Sequence, residues 1–234
     1  MLGSYLSYDM LSSMYLESTV YDICQQCKHI KRTVEEQFVH NVVWDMSRDE
    51  WNRGGISLKE LLTKGLVEEV ECECDKCEAT TTRRYKYTTT TRSPNKLIIN
   101  LNRSVNKVDR DTANDRYYLH DADNGRDILT FPITCPRVLE YTIKTLIINT
   151  SNILELFDER IVRYNLQGVI CMTIQEETPS VKCHYDCHCI NEDDKWVHYD
   201  DYVSKDSTLF DDNQDEFVSE SVVALFYKRM TNVV

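Results

Sequence analysis

Two Cys-x-x-Cys pairs, Cys24/Cys27 and Cys74/Cys77, constrain this chain more than any other feature. Each sets two thiols at the spacing of a metal knuckle, and together they supply the four sulfurs of a closed tetrahedral zinc site. Forty-seven positions separate Cys27 from Cys74, more than in a simple finger. The fold must therefore bring two hairpin tips together through a sheet. Cys72 precedes the second pair, which leaves open whether it replaces one of the knuckle ligands. A closed zinc site has no free coordination position, so it implies folding stability and not catalysis. Buried or redox-active thiols are the alternative reading of the same residues.

Ten cysteines in 234 residues would also suit a secreted disulfide scaffold. The opening residues, however, lack a positively charged region followed by a clean apolar run, so no export signal is expected. Paired Cys-x-x-Cys motifs without such a signal point to a reducing compartment, cytoplasmic or nuclear. Lys+Arg 27 against Asp+Glu 39 gives a net charge of −12. That balance argues against binding dominated by nucleic-acid phosphates or an anionic membrane surface. No window approaches the roughly 20 consecutive apolar residues of a membrane-spanning helix. The length suits one domain, with or without a projecting subdomain.

Along the chain the pattern is mostly β. A helix is expected over residues 8–16, then strands over 37–44, 96–102, 128–132, 142–150 and 164–172. Ser57 and Glu60 have the spacing of a capping box at the head of a short helix. Residues 80–91, rich in threonine and tyrosine, read as an exposed hairpin arm, 104–126 as a charged surface loop, and 178–182 as a turn. The run around His184, the run from Trp196 to Val203 and residues 222–228 complete a largely antiparallel sheet, with Asn191 to Asp194 as a hairpin turn. The expected class is α+β, mainly β.

Strand alternation sets His184, Asp186 and His188 on one face and Tyr185, Cys187 and Cys189 on the other. If the next hairpin folds back, Asp200 passes beside His184. It can then accept a hydrogen bond from one ring nitrogen and leave the other facing a nucleophile, with Asp201 as a second carboxylate nearby. On local chemistry alone, a surface histidine beside a solvated acidic turn is the favoured reading. A second metal site from Cys187, His188 and Cys189 is disfavoured, because neighbouring strand residues point to opposite faces.

Taken in order, these residues resemble the ubiquitin-specific proteases. Cys24/Cys27 with Glu36 and Phe38 resembles the family's first knuckle and the strand after it. Ser57, Leu58, Leu61 and Leu62 resemble the short helix before the second knuckle, Cys74/Cys77. Pro94, Leu97, Leu101 and Arg103 match its core-strand pattern. Phe131-Pro132, Tyr164-x-Leu166-x-Gly168-Val169, His184-Tyr185, Trp196-x-x-Tyr199-Asp200-Asp201-x-Val203 and the run from Ala224 to Arg229 follow in sequence.

The resemblance implies an antiparallel palm over about residues 96–234 and zinc-tipped fingers over about 20–95. It implies His184 as general base, Asp200 as its orienting partner and Asp201 assisting. The implied metal ligands are Cys24, Cys27, Cys74 and Cys77, and the implied partner is ubiquitin or a ubiquitinated protein. The chain departs from the family in carrying no Gly-Asn-Thr-Cys-Tyr box, which holds the family nucleophile, and the thumb helices belong to that same region. Cys183 stands where the family usually has Gly, and Cys171 and Met172 where it tends to place His and Gly. Two expectations follow. One is the thiol-dependent isopeptidase with its nucleophile and thumb on a separate segment, and the alternative is a catalytically silent ubiquitin-binding or scaffold module.

Overall fold

The computed structural model describes residues 12–42, 44, 46–64, 67–71, 73–77, 81–85, 94–105, 115–121, 126–147, 156–177, 180–207, 209 and 214–231. In chain order the strands are β1 (Leu16–Cys24), β2 (Ile30–Gln37), β3 (His40–Asn41), β4 (Ile56–Ser57), β5 (Val67–Glu71), β6 (Thr81–Tyr85), β7 (Lys96–Asn100), β8 (Ser104–Val105) and β9 (Tyr118–Asp121). They continue as β10 (Arg126–Leu129), β11 (Ile133–Pro136), β12 (Val138–Ile147), β13 (Leu156–Glu177), β14 (Ser180–Ile190), β15 (Trp196–Asp200), β16 (Val203–Asp206), β17 (Glu216–Ser219) and β18 (Val222–Arg229). Two short helices, α1 (Arg48–Arg53) and α2 (Leu58–Leu62), interrupt them. Among the described residues no helix is long and apolar enough to cross a membrane.

Two sheets carry the cysteine pairs and the histidine–aspartate pair singled out by the sequence. Two hairpins lie side by side in a four-stranded sheet of order β2–β1–β6–β5, with Cys24 opposite Thr82 and Glu71 opposite Thr81. That register brings the turn after β1 and the turn after β5 to the same end. The larger, eight-stranded sheet runs β16–β15–β14–β13–β18–β7–β3, with β12 pairing the first half of β13. It is antiparallel except for β3 against β7. Two three-stranded sheets, β8–β10–β9 and β17–β11–β4, pack around it.

The core lies against one face of the large sheet. Leu97, Ile99 and Leu101 alternate inward as the apolar run at 96–102 predicts, joined by Val169, Leu225, Phe131 and Ile133. Trp51 of α1 stacks against Tyr117 and meets Phe131 edge-on. Arg103 is fully buried, and its guanidinium donates to the carbonyls of Val222, Leu129, Phe131 and Ser219. A buried cation is tolerated only when its donors are met, and here they tie three segments together.

Several expectations need correction. Residues 12–14 are helical, but Leu16 already opens β1, and residues 8–11 lie outside the described ones. β1 is buried on both faces, so it lacks the alternation that marks a half-buried strand. Of the strand expected over 37–44, Gln37 ends β2 and His40–Asn41 form β3, because the chain leaves the small sheet at Gln37 to cross to the large one; residue 43 lies outside the described ones. The expected surface loop at 104–126 holds β8, a 3-10 turn at Asp115–Tyr117 and β9, which with β10 form a sheet of their own. The arm at 80–91 contains β6, placed centrally between β1 and β5, and its remainder lies outside the described residues. Ser180–Lys182 belongs to β14 and not to a turn.

Candidate active site and metal centre

The knuckle cysteines converge as their spacing requires. Cys24 ends β1 and Cys27 sits in the turn before β2, while Cys74 and Cys77 lie between β5 and β6. One sulfur of each pair meets one of the other, Cys24 Sγ to Cys77 Sγ and Cys27 Sγ to Cys74 Sγ, each at 3.6 Å. All four sulfurs lie within 4.8 Å of one another. Zinc–sulfur bonds of about 2.3 Å in a tetrahedron set sulfurs about 3.8 Å apart, so the four can hold such an ion with little movement. The Cys27 N–H, above all, holds the Cys24 thiol down to about 6, favouring the thiolate a metal needs. The Lys76 N–H likewise points at Cys74 Sγ, at 3.4 Å. Lys31 of β2 and Asp75 of the turn after β5 join the two hairpins by an ion pair of 2.9 Å. Cys72 lies outside the described residues.

In the eight-stranded sheet, β14 and β15 form the hairpin expected around residues 191–194. Asn191 Oδ1 accepts from the N–H groups of Asp193 and Lys195, an Asx turn that sets the register of the two strands. With His188 opposite His198, strand alternation brings Asp200 beside His184. The contact is His184 Nε2 to Asp200 Oδ1, at 2.6 Å. The hydrogen bond to Asp200 raises the His184 pKa above its usual value, and the same contact lowers that of Asp200. Asp201 opens the two-residue turn into β16 at φ +49°, a left-handed conformation that aspartate tolerates. Its carboxylate lies within 4.8 Å of the other two groups but stands exposed.

With Asp200 accepting from Nε2–H, Nδ1 of His184 is the lone-pair nitrogen, the one able to take a proton from a nucleophile. No cysteine sulfur joins this cluster among the described residues. Cys183 and Cys187 belong to the opposite face of β14. Cys171 and Cys135 are buried, and burial pushes their thiols up to about 11 and about 12.

The face that carries His184 and Asp200 continues into a second group: Cys171 of β13, Asp186 and His188 of β14, and His198 of β15. Cys171 pairs with Asp186 and His188 with His198 across the strands. The chain neighbours of His188, Cys187 and Cys189, point the other way. The true neighbours lie across the register, and only the pairing of β13 with β14 exposes them.

A partly exposed histidine oriented by a carboxylate is an arrangement that nucleophilic hydrolases use. Over residues 8–203 the sequence matches the family described as ubiquitin carboxyl-terminal hydrolase, and the chain belongs to that family. Its fold is similar to that of a chain in the SAGA Ubp8/Sgf11/Sus1/Sgf73 DUB module bound to ubiquitin aldehyde, with a TM-score of 0.63 and 14% identity over 98% of this chain and 44% of that one. A yeast SAGA DUB module with a mutant Sgf73 matches at 0.63 and 15% identity, over 94% of this chain and 42% of that one. A further DUB module, bound to monoubiquitin, matches at 0.60 and 14% identity, over 94% of this chain and 41% of that one. At such identities the likeness is one of fold. The chain spans less than half the length of these solved chains. No curated protein matches its sequence.

Proposed function

We propose that this chain is the fingers and palm of a thiol-dependent ubiquitin isopeptidase, with the nucleophilic cysteine and the helical thumb supplied by a segment outside it. The observation that carries the reading is the 2.6 Å contact of His184 Nε2 with Asp200. It leaves Nδ1 free on a side chain 39% exposed, with no thiol among the described residues to serve. His184 acts as general base, Asp200 fixes its tautomer and steadies the imidazolium, and Asp201 adds negative charge nearby. The eight-stranded sheet and its packed core, to which β3, α1, β4 and α2 also belong, form the palm, and the hairpins β1–β2 and β5–β6 form the fingers. The fingers hold a structural zinc on Cys24, Cys27, Cys74 and Cys77 and grip the body of ubiquitin. Two of the similar solved structures are DUB modules bound to ubiquitin or its aldehyde, assembled from several proteins. This supports ubiquitin as the partner and shared assembly as the setting.

The competing reading is a silent ubiquitin-binding module in which the His–Asp pair is a remnant. Both readings expect the isolated chain to leave a ubiquitin C-terminal vinyl probe unlabelled, and covalent labelling would overturn the external nucleophile. They part when a thumb segment carrying the Cys box is added. Restored cleavage of a ubiquitin C-terminal fluorogenic ester, lost again in His184→Gln, supports the isopeptidase. A complex that binds the segment yet stays inert supports the silent module. A titration of labelled ubiquitin by NMR tests binding directly, and no perturbation at millimolar chain would remove ubiquitin from both.

A further inference from the structure

Beyond the His184 pair, the sheet carries a cluster that neither the isopeptidase reading nor the knuckles use. Asp186, His188 and His198 each expose only 13–14% of their side chains, and Cys171 is buried. The Oδ1 of Asp186 and the Nε2 of His198 are buried with no hydrogen-bond partner. Buried polar atoms left unpaired are rare and point to a missing ion or water.

The spacing discriminates. His188 Nε2 stands 3.7 Å and His198 Nε2 3.5 Å from that same carboxylate oxygen, both too long for a hydrogen bond. In a tetrahedral zinc site with bonds of roughly 2.0–2.2 Å, nitrogen and oxygen ligands sit about 3.4 Å apart. Cys171 Sγ, a carboxylate oxygen of Asp186 and a nitrogen of His188 all lie within 4.8 Å of one another. The other ring nitrogen of His188, Nδ1, meets Ser207 Oγ at 2.7 Å, and that oxygen also accepts from the Leu209 N–H. Metal-bound histidines are characteristically held in this way through their second nitrogen.

We propose that Cys171, Asp186 and His188 form a second metal site, for a zinc-class divalent ion, on the core-facing side of the large sheet. A sulfur, an oxygen and an imidazole nitrogen suit a borderline ion and exclude magnesium or calcium, which take oxygen ligands. The fourth position falls toward His198. The His198 ring stacks on His188 at 4.3 Å and 12° between planes, so the two lone pairs run side by side and do not converge. A metal-bound water there satisfies the unpaired Nε2 of His198. Three protein ligands and a water make an open site, chemically distinct from the closed four-thiolate one.

The test is a metal count on the full chain, loaded with zinc and dialysed, beside a cobalt(II) titration followed by absorption. The wild type is expected to hold two equivalents, and Cys171→Ser, Asp186→Asn and His188→Gln one each. In cobalt, the second equivalent should carry the weak charge-transfer band of a single thiolate, absent from Cys171→Ser. The knuckle variant Cys74→Ser should keep that second equivalent. A wild type holding only one equivalent, removed by Cys74→Ser and untouched by Asp186→Asn, overturns the site. Should the palm variants fail to fold, imidazole nitrogen NMR of the wild type decides: His188 Nε2 must shift as the second equivalent binds, and an unmoved resonance refutes the proposal.

Discussion

The bond from His184 Nε2 to Asp200 decides which ring nitrogen remains free, and it also sets where the ring titrates. The pKa is raised first by that hydrogen bond and then by the charges of Asp200, Asp201 and Asp186. A raised histidine pKa favours the fold below the unfolded value of 6.5, and that contribution fades as pH climbs through the folded pKa. Asp200→Asn should therefore move the His184 NMR titration down toward 6.5; an unchanged midpoint would show that Asp200 does not hold the ring. In a thumb-complemented enzyme the same substitution should shift the acidic limb of the rate profile to lower pH while kcat falls, because the tautomer is no longer fixed.

His40 behaves oppositely. Burial pushes its pKa down to about 4, and its Nδ1 lies 3.2 Å from the Tyr141 hydroxyl. Between pH 6.5 and 4 the unfolded chain binds a proton there that the folded one refuses, so stability falls as pH falls through this window. At about 1.4 kcal/mol per unit the loss is at most ~3 kcal/mol. Denaturant unfolding at pH 7 and 4.5 should show that loss in the wild type and little of it in His40→Gln. Arg103→Lys should cost about 2–4 kcal/mol at any of these pH values, because one ammonium cannot reach four carbonyls and leaves buried acceptors unmet. A Tm within a degree of wild type would refute it.

At the scale of elements, local chemistry was legible and long-range pairing was not. Ser57 and Glu60 were spaced as a capping box, and both reciprocal bonds form, Glu60 N to Ser57 Oγ at 3.1 Å and Ser57 N to Glu60 Oε2 at 2.9 Å. Ser47 and Glu50 carry the same signature ahead of α1, and the reciprocal bonds are likewise present. α2 sends Leu58 and Leu61 into the core, so Ser57→Ala should lower stability by about 1 kcal/mol, read from the denaturation midpoint. No change would mean that packing alone holds the helix. β1 was invisible because both its faces are covered. The 22 residues of β13 were only partly visible, since it pairs in turn with β12, β18 and β14. Gln167 and Val223 each add a residue to one strand of the β13–β18 pair and break its register, an irregularity no residue pattern announces. The His184–Asp200 contact was legible because a short hairpin fixes its own register. The meeting of Cys171 with Asp186 and His188 was not, since it depends on how β13 lies against β14.

For the whole molecule, the two principal sheets differ in what sustains them. The large sheet rests on a continuous apolar core, from Leu97 and Ile99 through Val169 to Leu225. The four-stranded sheet has a buried β1, but β2 is exposed along nearly its whole length. Its two hairpins are joined by β1–β6 pairing and by the four thiols at their tips. A strand pair with so little apolar cover is marginal by itself, and a structural metal contributes folding free energy directly. Cys74→Ser removes one thiolate from the tips without touching Cys171, Asp186 or His188. Amides of β1, β2, β5 and β6 should then exchange with solvent more than roughly tenfold faster, while those of β13, β14 and β18 keep their protection. A uniform loss across both sheets would mean that they unfold as one cooperative body. Unchanged exchange at β2 would mean that strand pairing, and not the thiol cluster, holds the hairpins together.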